Sequence, residues 1–332
     1  LGARGLIVAG LAIRAVGFAM MGPANGFWAL MLASVVAGVG GALFDAPKNA
    51  AVTTLTTPES RSRVFSVMGV SGNVGMVVGP LVGALLNSVS FALVALVAGS
   101  VYLVALALVA ATLPGGRGAG ETRGKEAGLA GLGVVVRDRR FVTFTALAAG
   151  YFVLSTQLNV AVTLRATELH GAGAVGWVYG VNAGLAVLLQ YPLLRLAERH
   201  LSAKRIFVTG VVLVSLGLGG LAFAGAFWTL LACVAVFSAG SMLTFPTQQA
   251  LTARLARPGL YGAYFGFGAL SLGVGGAVGN AIGGLLYDAG RSLGQPALPW
   301  LSFAALGALT ALGLALQLRG LPREEPGAAR AG

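Results

Sequence analysis

The run Gly38-Val-Gly-Gly-Ala-Leu-Phe-Asp45-Ala-Pro47-Lys48-Asn49 decides how this chain is read. It begins as a glycine-spaced apolar stretch, then sets a carboxylate, a proline and an ammonium inside a segment apolar enough to span a bilayer. A charge at membrane depth costs roughly 2.5–3.5 kcal/mol on insertion scales, so it is seldom kept without a use. Asp45 and Lys48 stand three residues apart and share one helical face. Either this polar centre carries protons and solutes, or it braces a bundle.

Composition supports the membrane reading. The chain is 57% hydrophobic and 10% charged, against about 25% charged in soluble domains. Its repeated apolar segments approach or exceed the ~20 residues that cross a bilayer, so an all-α polytopic membrane protein is expected. The 52 glycines sit inside these apolar runs, where small residues let helices approach closely. The lone Cys233 leaves no internal disulfide. The net charge of +12 follows from topology. With spans alternating in direction, eighteen of the 22 Lys and Arg residues fall on one side of the membrane, and only Arg165 and Arg291 on the other. That bias marks the first side as cytoplasmic, with the central loop and the C-terminus there. No nucleic-acid partner is needed to explain the basicity.

Ten spans are expected, at about 6–21, 27–55, 64–86, 91–113, 141–163, 176–196, 206–224, 227–255, 261–286 and 298–318. Residues 114–140 interrupt them with a polar, glycine-rich loop and a short surface helix from Leu129 to Arg140. This loop separates the remainder of an N-terminal half, 1–113, from a six-span C-terminal half, 141–318, which a cytoplasmic tail, 319–332, follows. The halves repeat. Gly75, Gly79 and Gly83 return as Gly275, Gly279 and Gly283 at an offset of 200, and Pro47 returns as Pro246. Two six-span halves make twelve spans, so the chain, which opens on Leu1, is expected to lack the first two.

The pattern Gly75-x-x-x-Gly79-Pro80-x-x-Gly83 resembles the antiporter signature of drug/proton exchangers in the major facilitator superfamily. Further likeness to that family lies in Ile13-Arg14-Ala-Val-Gly17-Phe18, Gly40-Gly-Ala-Leu-Phe44-Asp45-Ala-Pro47, Arg137-Asp-Arg-Arg140-Phe141 and Gln295-Pro-Ala-Leu-Pro299-Trp300. The resemblance implies a major facilitator fold and a cytoplasmic-membrane exporter of amphiphilic drugs, fluoroquinolones among them, driven by proton re-entry. It implies that the Gly75–Gly83 face, with Pro80, prevents proton leak; plain close packing explains the glycines equally well. It also implies an ionic latch at Glu198 and Arg199, within Leu194-Arg195-Leu-Ala-Glu198-Arg199-His-Leu-Ser-Ala-Lys204-Arg205. Positive-inside flanking explains the cations of that stretch but not the acid. One departure is Ser34, where many family members keep an arginine.

Arg14 and Asp45 both fall at roughly 12–15 Å from the cytoplasmic end of their spans at 1.5 Å per residue, so antiparallel neighbours would bring them together. Three readings are open: a carboxylate that couples transport to protons with Arg14 or Lys48 as partner, a structural ion pair that fixes helix register, or recognition of substrate charge. Tyr151, Gln157, Asn159 and Gln248 are candidates to line a cavity, because amides in hydrocarbon need partners or water. No catalytic, metal-binding or phosphate-loop signature is present, and His170 and His200 stand alone. The sequence points to proton-coupled efflux by a monomer without cofactors, working with a small amphiphile, protons and the bilayer. A metabolite facilitator of the same fold and a lipid-handling flippase-like protein are the alternatives, and an intramembrane enzyme ranks last.

Overall fold

Helix boundaries fall where the backbone chemistry permits. In the computed structural model, residues 3–87, 89–113, 129–171 and 173–320 are described, and they are helical with no strand among them. Helices α1 (Ala3–Met21) and α2 (Phe27–Leu55) meet at a turn that ends on Gly26, whose φ of 94° favours glycine. Next come α3 (Pro58–Asn87) and α4 (Phe91–Thr112), the latter capped by the Ser90 hydroxyl accepting from the Leu93 amide at 3.1 Å. The short surface helix α5 (Leu129–Arg137) stops before the expected Arg140, because Asp138 caps the following helix through the Phe141 amide. Residues 114–128 of the loop and 321–332 of the tail lie outside the described residues.

The C-terminal part contains α6 (Arg139–Ser155), α7 (Ala161–His170), α8 (Ala174–His200), α9 (Ala203–Gly220), α10 (Phe227–Leu255), α11 (Tyr261–Ser292) and α12 (Leu298–Gln317). The fifth expected span therefore differs from the sequence reading. It breaks into a 3-10 turn at Thr156–Leu158 and resumes as α7 as far as His170. No glycine or proline marks this break. It is stabilised by side chains, since the Thr156 hydroxyl and the Gln157 amide both donate to the Val153 carbonyl, at 3.0 and 2.7 Å. Among the described residues nine helical segments are long and apolar enough to cross a membrane, with α6 through α7 taken as one. The 30-residue α3, at the place of the third expected span, is not among these nine.

Two compact units emerge. Unit 1 comprises Leu1–Thr56, Val78–Leu132 and Arg257–Gly266; unit 2 comprises Thr57–Val77, Gly133–Ala256 and Phe267–Gly332. In unit 1, α1 packs on α2 and α4. A Cβ added to Gly17 would lie 2.5 Å from the Ala37 nitrogen, and one on Gly40 would lie 2.6 Å from the Arg14 nitrogen. In unit 2, α9 packs on α10 and α12. A Cβ on Gly217 would lie 2.6 Å from the Phe237 nitrogen, and one on Gly240 would lie 2.6 Å from the Val214 nitrogen. Gly17 and Gly40 correspond to Gly217 and Gly240 at the same offset of 200 that the sequence shows further on. The repeat is thus one of helix crossings as well as of letters.

The glycine ladders differ between halves. On α11, Gly275 lies against the Ala149 carbonyl, Gly279 against Val153 and Thr156, and Gly283 against the Gln157 amide, which seats α11 on the α6 segment. On α3, a Cβ at Gly75, Gly79 or Gly83 meets no atom within 4 Å, so no described group packs at these glycines. The Pro80 and Asn73 side chains lie outside the described residues.

Because backbone atoms of α10 face Gly217 at 2.6 and 2.8 Å, Gly217→Ala must push two helices apart, at a cost of about 1–3 kcal/mol. Thermal unfolding in detergent should show a clear drop in apparent Tm for Gly217→Ala. Gly180→Ala on α8, where the space is open, should leave it unchanged or raise it.

Candidate functional site

Asp45 is exposed, with 53% of its side chain accessible. Its carboxylate accepts from Lys48 Nζ at 2.7 Å, a pair made within one turn of α2. The ammonium also stands 4.8 Å from the centre of the Phe44 ring, within cation–π range. The expected partner Arg14 is engaged elsewhere. Its guanidinium lies against Gly41 and 5.4 Å from the centre of the Tyr102 ring, which stacks on Phe18 at 5.2 Å. Helix rotation turns the Arg14 side chain onto Tyr102 of α4. Tyr102 is the residue the sequence did not single out as its partner. Ser34 bonds its own helix at the Leu30 carbonyl.

The four polar residues assigned to a cavity divide into two kinds. Tyr151 is 3% exposed, and its ring packs against Phe152 at 5.0 Å. Gln157 is fully buried, and its amide nitrogen joins the Val153 carbonyl to that of Gly279 on α11, at 2.7 and 2.9 Å. These two are buried parts of the bundle. Asn159, two residues on, is exposed and accepts from the Tyr179 hydroxyl at 2.9 Å. Gln248 is 4% exposed, and its side-chain oxygen receives no hydrogen bond from a described group; the same holds for the Thr247 hydroxyl beside it.

At the C-terminal end of α8, Glu198 accepts from Arg63 Nε at 3.3 Å and from the Ser62 hydroxyl, both at the start of α3. These partners are 135 and 136 residues away in sequence. Arg199 takes no part: it is exposed and pairs with no described residue. Nearby, Gln190 donates to the Ser66 carbonyl at 3.3 Å, so α8 grips α3 at more than one level. No group of His, Cys, Asp and Glu among the described residues is arranged to hold a metal ion.

A sequence profile of the Major Facilitator Superfamily matches residues 1–165 and again 154–332. The chain belongs to the Major Facilitator Superfamily. It is thus a multi-pass membrane protein of a transporter family. Among relatives in this superfamily, it is 35% identical over 315 residues to the multidrug resistance protein MdtH of Klebsiella pneumoniae (strain 342), covering 94% of this chain and 77% of that protein. It is 34% identical over 333 residues to MdtH of Salmonella arizonae, covering 99% and 81%. The fold is similar to that of the E. coli fucose:proton symporter FucP, with a TM-score of 0.77 at 14% identity over 95% of this chain and 84% of that one. A bacterial homologue of the iron transporter ferroportin in an outward-facing state gives 0.73 at 17% identity, over 96% and 84%.

A part-exposed pair such as Arg63–Glu198 is worth about 0.2–1 kcal/mol. In a thermal-unfolding cycle of Arg63→Ala, Glu198→Ala and both together, a positive coupling of that size is expected. The swap Arg63→Glu with Glu198→Arg should recover most of the loss from either reversal alone.

Proposed function

We propose that this transporter exports amphiphilic small molecules across the bacterial cytoplasmic membrane in exchange for protons, with Asp45 as the coupling carboxylate. One observation carries the reading: a carboxylate in mid-span is held by a lysine on its own helix and is otherwise open. Its single ion pair involves no other helix, so protonation can dissolve it without dismantling a crossing. The Lys48 ammonium is then released onto the Phe44 ring or to water, and the local charge changes by one unit. A change of that kind, repeated as the protein alternates between inward- and outward-facing states, couples proton binding to a population shift.

Several features support efflux of amphiphiles. The relatives described above bear the name multidrug resistance protein. Gln248 and Thr247 offer buried polar oxygens without a described hydrogen-bond partner, and a few polar anchors of this kind in a site suit amphiphilic ligands. The Arg63–Glu198 link sits where the charge bias places the cytoplasm, and it serves as a latch between α3 and α8. The protein acts as a carrier and not as an enzyme. It needs no cofactor beyond the proton gradient, works as a monomer, and keeps its central loop and C-terminus in the cytoplasm.

The test uses the full-length protein in inverted vesicles with an imposed pH gradient, following a fluoroquinolone and a fluorescent cationic drug. Asp45→Asn should lower gradient-driven transport at least about tenfold, while expression and apparent Tm hold. Undiminished gradient-driven transport in that variant would make Asp45 a structural residue. Transport indifferent to the gradient would favour a metabolite facilitator.

A further inference from the structure

Unit 2 contains a cleft that neither the Asp45 pair nor the Glu198 latch uses. It opens among α7, α8 and α11, has a volume of about 380 Å³, and is lined by Asn159, Glu168, Tyr179, Tyr287, Asp288 and Arg291. That volume lies within the range of small-molecule sites. Tyr179 is in the first turns of α8, nineteen residues before Glu198, so about 28 Å of helix separates the cleft from the latch.

The charges of the cleft are not all matched. Glu168 faces Arg165 Nη1 at 3.4 Å and Arg291 Nη1 at 3.6 Å. The other arm of Arg165 donates to the Ala224 carbonyl at 3.3 Å. Both arginines are thereby committed to one carboxylate. Arg291 stands three residues after Asp288 on α11, well placed to pair with it, yet reaches across to α7 instead. Asp288 is left exposed, with no ion pair or hydrogen bond to a described residue. Beside it, Tyr287 is 6% exposed and wedged edge-on against Trp300 at 6.3 Å. Its hydroxyl lies close to Glu168 but makes no well-formed hydrogen bond to any described group. A buried hydroxyl without a good partner is rare, and here it belongs to a residue that lines the cleft beside the Asp288 carboxylate.

We propose that this cleft binds an organic ammonium with an aromatic or alkyl body. The ammonium donates to the Asp288 carboxylate and to the Tyr287 hydroxyl oxygen. The rings of Tyr179 and Tyr287, with Leu164 and Val175, receive the apolar body and face the cation. The two arginines and two carboxylates balance in charge, but both arginines are engaged on Glu168, so the unengaged Asp288 carboxylate is what an incoming ligand meets, and it repels an anion. The Asn159 oxygen is occupied by Tyr179, which holds that ring in place as one wall.

Binding of phenethylamine and of its neutral isostere 2-phenylethanol to the full-length protein in lipid nanodiscs, by calorimetry at pH 7, tests the site. No gradient is applied, so the result stands apart from the proton-coupled reading. The wild type should bind the amine at least about tenfold tighter than the alcohol. Asp288→Asn should abolish that preference and leave the alcohol unaffected, and Tyr287→Phe should weaken the amine severalfold. Equal affinity for the two compounds, or an Asp288→Asn protein that binds the amine like wild type, would overturn the proposal.

Discussion

Each half of this protein rests on two antiparallel helices brought to backbone distance by glycine. In lipid there is no hydrophobic force to press one apolar helix on another, so close van der Waals contact must do that work. Gly17 and Gly40 allow it between α1 and α2, and Gly217 and Gly240 allow it between α9 and α10. The remaining spans add to these pairs: α4 lies on α1, and α12 lies on α9. Gly99 faces the Ala15 carbonyl in one case, and Gly307 faces Ser215 in the other.

This constraint also shapes the polar residues. A buried amide in such a bundle must find a backbone carbonyl, and Gln157 finds two, at the place where its own helix breaks. Asn159, just past the same break, turns outward to Tyr179. Two amides two residues apart thereby acquire opposite tasks, one as an internal strut and one as part of a wall. The difference comes from the 3-10 turn between them.

Much of the fold was legible because a bilayer leaves few choices. Apolar length located the spans, and the recurrence of Gly75, Gly79 and Gly83 two hundred residues later exposed the duplication. The Gly17–Gly40 crossing was hidden by abundance, since 52 glycines give no reason to favour these two. The break at residues 156–160 was hidden for the opposite reason: it contains neither glycine nor proline, and side-chain donors stabilise it. Of the site, the direction of the side chains was not legible. Arg14 and Asp45 fall in adjacent spans, but a helix rotation that sequence spacing does not fix sends Arg14 to Tyr102. Likewise the acid at Glu198 stood out as unexplained, while its partner Arg63 looked like one of many flanking cations until the fold joined α3 to α8.

The constant offset makes one half an internal control for the other. At the position of Arg14 the second half has Val214, whose backbone nitrogen faces Gly240 at the same 2.6 Å that separates the Arg14 nitrogen from Gly40. At the glycine offset of 200 the positions of Asp45 and Lys48 are held by Phe245 and Gln248, and at the 199 of the Pro47–Pro246 match by Thr244 and Thr247, none of them charged. The same architecture has therefore been built twice, once with these three charges and once without them. The close helix crossing is present in the half without these charges as well as in the half with them. The charged residues of the first half are passengers of the scaffold, free to be altered by selection for what the protein moves without disturbing how it stands.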